Sequence, residues 1–228
     1  MNIIIYESSS HGGCYKYAIE LYKSYNQHLK VNQVQLLLPS NASFLDKDVH
    51  HNLIRDNNSG NRWHFLFRHL YNPLILLKFL LKHNKSNNRT FVLFNDFEQI
   101  SAPIWAPLFK LLLSNCIFGV FLHDADRDAY PPFPRASAWC MIRMMSLMDI
   151  ALYHGTLPDK SYYTQNKQTK YLQVVHGLYQ PATPDNETIN RINDWRENLS
   201  GPVFIIPGHI RSEKNYEMAI NAIAKHPT

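Results

Sequence analysis

The sequence predicts an α/β protein built on a doubly wound, mainly parallel Rossmann-like sheet. Short apolar runs, some apolar on both faces, alternate with segments whose apolar residues recur at helical spacing. The first run leads through a glycine-bearing turn into a helix, the opening unit of such a sheet. With 45% hydrophobic and 18% charged residues among 228, the chain is globular in type and long enough to bury an ordinary core.

Residues 3–6 read as a buried strand, followed by Glu7-Ser-Ser-Ser-His-Gly-Gly13 and a helix with Ala18, Leu21, Tyr22 and Tyr25 on one face. Gly12 and Gly13 let the backbone pass close to a ligand or bend tightly. They form neither the G-x-G-x-x-G fingerprint nor a loop ending in Gly-Lys-Ser/Thr. A second strand, 34–38, stops at Pro39, and 41–61 reads as polar and irregular, with a turn cluster at 56–60. The segment 62–83 interleaves aromatic and aliphatic residues with Arg62, Arg68, Lys78 and Lys82, and Lys85 and Arg89 follow. It reads first as a core-packed helix with a solvated basic edge. The sharper alternative is a basic amphipathic helix making a peripheral membrane contact across 62–89. Pro73 is expected to open its second part as a first-turn proline.

A strand at 90–94 leads to Asn95-Asp-Phe-Glu98, and a helix over 103–113 returns to 116–122, apolar on both faces as a central parallel strand should be. That strand ends on His123-Asp-Ala-Asp-Arg-Asp128, where open α/β sheets bind ligands. Three readings stand there: a divalent metal on His123, Asp124 and Asp126; a cleft in which His123, with Asp124 beside it, meets substrate; or a loop of solvated carboxylates. Trp139, Met141, Met144, Met145 and Met148 mark a helix over 135–148 and are expected in the core. Strands follow at 149–155 and 171–177, and a helix at 185–199 lies in a connecting stretch. Then come a strand at 203–207, the polar turn Gly208-His-Ile-Arg-Ser-Glu-Lys214 and a helix over 215–224. Arg211 and Lys214 put two cations beside a helix start whose N–H groups favour anions, which suits a phosphate; a plain turn with solvated cations is the alternative. Residues 1–200 are expected to form one domain, and 201–228 the start of a second.

Phe204-Ile-Ile-Pro-Gly-His-Ile-Arg-Ser-Glu-Lys-Asn-Tyr-Glu-Met-Ala-Ile resembles the opening of the C-terminal domain of family 4 (group 1) glycosyltransferases, and His11-Gly-Gly-Cys-Tyr-Lys-Tyr-Ala-Ile-Glu-Leu21 resembles their N-terminal Gly-Gly loop. The His-ended strand at His123 and the His-Gly turn closing 171–177 fall at similar places. The resemblance implies the GT-B architecture and retaining transfer from a nucleotide-diphosphate sugar to a saccharide or lipid-linked acceptor, as in polysaccharide biosynthesis. It implies no cofactor. Donor binding would fall to Gly12, Gly13, Arg211 and Lys214, and His123 with Asp124 would act at the catalytic centre. If transfer inverts, His123 or Asp124 would take the acceptor proton; if it retains, His123 would position groups and stabilise charge. Two departures stand out: Lys214 is followed by Asn215 where Lys-Gly is usual, and the family's paired glutamates have no counterpart. The expectation is therefore a truncated chain that does not catalyse transfer alone. The competing class is a non-enzymatic Rossmann-like module that binds an acceptor or a membrane surface.

The net charge of +5, with twelve further histidines, points to an anionic partner. No nucleic acid is expected, since the cations are not gathered in a recognisable module. Cys14, Cys116 and Cys140 lack metal or disulfide spacing and suit a reducing compartment. Residues 1–6 lack a signal peptide's basic region and long apolar core, and no window reaches the length of a membrane span. A cytoplasmic protein is the expectation.

Overall fold

Strands apolar on both faces must be covered on both sides, and the arrangement of helices follows from that demand. The computed structural model describes residues 1–28, 31–56, 62–83, 89–123, 134–157, 168–175, 185–199 and 216–225. They form two compact units, Met1–Tyr179 and Gln180–Thr228.

The first unit contains, in chain order, β1 (Asn2–Tyr6), α1 (Gly12–Asn26), β2 (Gln33–Pro39), β3 (Val49–Leu53), α2 (Arg62–His83), β4 (Thr90–Phe94), α3 (Ala102–Leu112), β5 (Cys116–Leu122), α4 (Pro134–Met145), β6 (Ile150–Tyr153) and β7 (Lys170–Gln173). The seven strands make one sheet in the order β3-β2-β1-β4-β5-β6-β7. Every neighbouring pair is parallel. The protein is thus α/β with a doubly wound, Rossmann-like sheet.

Right-handed crossovers explain the two layers. From β1 the chain steps outward to β2 and β3; from β3 it returns past β1 to β4 and continues the other way. Reversing the step moves the connecting helices to the other face. Alternation along β1 shows the result. Ile3 and Ile5 pack with Tyr15, Ala18 and Tyr22 of α1, whereas Ile4 and Tyr6 pack with Leu76, Phe79 and Leu80 of α2, Trp105 and Phe109 of α3, and Met144 of α4.

The structure departs from sequence expectation in three places. The stretch read as irregular contains β3, an edge strand with only Leu53 buried. Val-His-His-Asn-Leu carries no strand alternation, and its pairing with β2 holds it in place. Pro73 does not open a new helix but lies buried inside α2, which is continuous. A proline there leaves the carbonyl four residues earlier without its helical donor; the Ser101 hydroxyl donates to that carbonyl, His69 O. Trp139 is half exposed, while Met141, Met144, Met145 and Met148 are buried. Met141, Met144 and Met145 share one face of α4, with Met148 just beyond its end, and Trp139 is not on that face; its ring meets the Arg143 guanidinium at 5.6 Å.

In the second unit, α5 (Asn186–Glu197) is capped by Asp185, which accepts from Thr188 N at 2.7 Å, and buries no residue. The other described element there is α6 (Tyr216–Lys225). The expected strand at 203–207 and the turn at 208–214 lie outside the described residues. Cys14, Cys116 and Cys140 are free thiols, and burial pushes Cys116 up to about 11. Among the described residues, no helix is long and apolar enough to cross a membrane.

Gly119 on β5 is fixed by close approach, because a Cβ there would lie 2.5 Å from the Phe91 ring. Gly119→Ala is expected to lose about 1–3 kcal/mol in urea unfolding, part of it regained on adding Phe91→Leu. A Gly119→Ala protein as stable as the parent would show that the ring turns aside freely.

Candidate functional site

Where β1 and β4 lie side by side, their chains leave the sheet in opposite directions, and a crevice opens beyond their carboxyl ends. The polar residues that follow the apolar strands collect there. After β1 come Glu7, Ser8 and Ser9; after β4 come Asn95 and Asp96; after β5 comes His123; after β6 comes His154.

Asn95 joins these pieces. Its backbone N–H extends the β1–β4 ladder by donating to Tyr6 O at 2.9 Å. Its side-chain Nδ2 donates to Glu7 Oε2 and to Cys14 O, the latter at 2.9 Å. The carbonyl of Cys14 can only accept, so the NH₂ end of Asn95 must face it, and Oδ1 must face the other way. Oδ1 lies 3.0 Å from His123 Nε2. The imidazole therefore donates from Nε2, and in its neutral form Nδ1 is the basic nitrogen. Ring packing fixes its plane: Phe121 stacks on it with centroids 5.0 Å apart, and Tyr17 of α1 meets it edge-on at 5.2 Å. Tyr17 also meets His154 edge-on at 5.6 Å. The His154 Nδ1 lies 3.0 Å from Val174 O, an acceptor, so it carries the hydrogen.

Glu7 is fully buried, and its Oε1 accepts from Ser9 N at 2.7 Å. Burial first, and the Asp96 carboxylate second, push Glu7 well above the usual carboxylate range. Asp96 itself accepts from Ser8 Oγ at 3.0 Å and Ser9 Oγ at 2.9 Å. The next layer down holds Glu98, which accepts from the Tyr6 hydroxyl and, at 2.8 Å, from Asn72 Nδ2. Burial raises Glu98 to about 7. The Tyr6 phenol is pushed well above its ordinary value, by burial first and then by Glu98. At the outer side, Asp56 pairs with Arg68 of α2, accepts from Ser10 N at 3.0 Å, and exchanges bonds with Asn41 beyond β2.

Of the expected site residues, Gly12, Gly13 and His123 come to this one edge, linked through Asn95 and Cys14. Gly12 has φ of +86°, a conformation that side chains disfavour, and it opens α1. Beside Gly12 and Gly13 a Cβ would meet nothing within 4 Å. Asp124, Arg211 and Lys214 lie outside the described residues. Among the described residues, no group of three or more His, Cys, Asp or Glu is placed to hold a metal ion. Sequence reasoning did not assign Glu7, Asn95, Asp96, Asp56, Tyr17 or His154 to the site. The available signal was position: Glu7, Asn95 and His154 each directly follow a parallel strand's carboxyl end. The chain matches no protein-family model, no curated protein and no solved structure.

Two outcomes are expected. Long-range ¹H–¹⁵N spectra should show His123 as the Nε2–H tautomer, and Asn95→Leu should abolish that preference; an Nδ1–H ring in the parent would contradict the network. For Glu98, the folded value near 7 lies above the ordinary 4.5, so its stabilising effect is complete below pH 4.5 and is lost as pH rises through 7. Buried His69, lowered to about 4 by burial and then Arg68, runs oppositely: its effect is present above pH 6.5 and lost as pH falls through 4. Glu98→Gln leaves His69 unchanged and should gain on the parent by roughly 3 kcal/mol between pH 4 and 8. Parallel pH profiles for the two proteins would contradict this.

Proposed function

We propose that the sheet unit is the acceptor-binding half of a GT-B glycosyltransferase, taking a hydroxyl-rich saccharide or lipid-linked acceptor into the crevice between β1 and β4. The observation that carries the reading is the oriented imidazole of His123. Asn95 accepts from its Nε2–H, Phe121 and Tyr17 hold the ring plane, and the same carboxamide reaches Cys14 O in the first turn of α1, next to Gly12 and Gly13. Carboxylates and hydroxyls suited to sugar recognition, Asp96 with Ser8 and Ser9, line the same edge.

Transfer forms a bond from the acceptor oxygen to the anomeric carbon and breaks the bond to the nucleotide diphosphate, which leaves with the electron pair. In an inverting reaction the acceptor proton goes to His123 Nδ1, or to Asp124 beside it. In a retaining reaction the acceptor proton passes to an oxygen of the departing diphosphate, and His123 positions the hydroxyl and stabilises developing charge. Arg211 and Lys214 fit the diphosphate by chemistry: two cations between a short apolar run and the helix α6.

Saturation-transfer NMR with a saccharide panel, and titration with nucleoside diphosphates and their sugars, test this. Binding should perturb the amides of Gly12, Gly13 and His123, and His123→Ala should weaken it at least tenfold while the protein stays folded. Gly13→Leu should keep the fold, since a Cβ there would meet nothing within 4 Å, while obstructing the ligand. Saccharide binding that ignores both substitutions would place the site elsewhere. Binding of NAD in place of any sugar or sugar nucleotide would move the protein to another class.

A further inference from the structure

Helices that cover a sheet ordinarily turn a charged face of mixed sign to water. Neither α2 nor α3 does so. Leu76, Phe79 and Leu80 of α2 face the core, as do Trp105 and Phe109 of α3. Yet on its outer side α2 exposes Trp63, Phe67, Leu70 and Leu74, one per turn, with Trp63 80% exposed. The outer side of α3, which packs against α2, exposes Ile104, Leu108 and Leu111 at the same spacing. Trp63, Leu66, Phe67 and Leu70, with His64, line an open cavity of about 510 Å³.

The charges carried by these helices have one sign. No Asp or Glu occurs anywhere from residue 57 to 95, whereas Arg62, Arg68, Lys78, Lys82, Lys85 and Arg89 do. Helix α3 adds Lys110 and again no acid, and α4, packed on its far side, adds Arg135 and Arg143 and no acid. Arg68 is paired with Asp56, but Arg62, Lys78, Lys82 and Lys110 are exposed.

We infer that the outer face of α2 and α3 docks on an anionic lipid surface, the aromatic and aliphatic side chains entering the headgroup boundary and the lysines meeting lipid phosphates. Charge complementarity selects this occupant. An apolar stripe edged by cations alone is the pattern of an interfacial helix on acidic lipid. A second copy of the chain would set this face against itself and oppose cation to cation. The inference is independent of the sugar-transfer reading, because partition onto vesicles requires neither donor nor acceptor.

The test is sedimentation of the full chain with vesicles of phosphatidylcholine alone and of phosphatidylcholine mixed with phosphatidylglycerol. Binding is expected to the mixed vesicles only, to weaken as salt rises, and to shift Trp63 emission to the blue. Lys78→Glu with Lys82→Glu should weaken it at least roughly tenfold, from about 1 kcal/mol per basic residue near the surface. Trp63→Ser with Phe67→Ser should weaken it while leaving thermal unfolding unchanged, both residues being exposed. Equal binding to the two vesicle types, no binding to either, or binding untouched by both double variants would overturn the inference. So would a concentration-dependent dimer that Trp63→Ser with Phe67→Ser abolishes.

Discussion

The crevice edge of the sheet depends on one carboxamide. Where β1 and β4 part, their ladder ends one residue beyond the strands, at Asn95 N to Tyr6 O. The Asn95 side chain takes over from there, binding Glu7 after β1, Cys14 O in the first turn of α1, and His123 after β5. Each partner is of a kind that is costly to bury alone: a carboxyl group, a backbone carbonyl and an imidazole. Aspartate in this position would lose both donors and add a third carboxylate beside Glu7 and Asp96. Leucine would fill the volume and remove one hydrogen bond from each of the three. The amide is the group that can donate twice and accept once along this line.

A second polar layer, under α2 and α3, uses the same economy. Glu98 receives hydrogens from Tyr6 and Asn72, and Asn72 in turn accepts from Ile54 N at 2.7 Å, just beyond the edge strand β3. Trp105 Nε1 donates to Glu98 O at 3.2 Å, and Ser101 supplies the donor that Pro73 cannot. These bonds seat a proline-containing helix on the sheet at a defined height. Glu7 and Glu98 are thus two buried acids on opposite sides of β1, one beside the imidazole and the other under the helices. Both are shifted upward chiefly by burial, so the folded protein favours their protonated forms relative to an exposed carboxyl group.

What the sequence revealed follows from what local pattern can carry. The apolar runs 3–6, 34–38, 90–94 and 116–122 were legible because a strand buried on both faces carries few polar residues, here Gln35 and Thr90. The order β3-β2-β1-β4-β5-β6-β7 was not read from the sequence; it comes from the pairing in the structure. His123 stood out because it ends such a run. β3 was not legible: Val49-His-His-Asn-Leu53 has no alternation, and its strand character comes from β2. Nor was the role of Asn95, because its partners Glu7 and Cys14 lie 88 and 81 residues away in the chain. Nothing local distinguishes an asparagine that clasps a sheet edge from one that ends a strand in solvent. Pro73 misled for the same reason, since its compensating donor sits on a different element.

The basic apolar surface and the crevice are physically joined. All strands being parallel, α2 begins at the edge where the crevice opens, directly after β3. Asp56 makes the joint there: it pairs with Arg68 of α2, takes the backbone N–H of Ser10 in the loop before Gly12, and bonds Asn41 beyond β2. Arg68 directly follows the exposed Phe67, so the outer face of α2 and the partner of Asp56 meet within one turn of the helix. Whatever occupies the outer face of α2 is therefore tied, through a single carboxylate, to the loop that sets the backbone at Gly12 and Gly13.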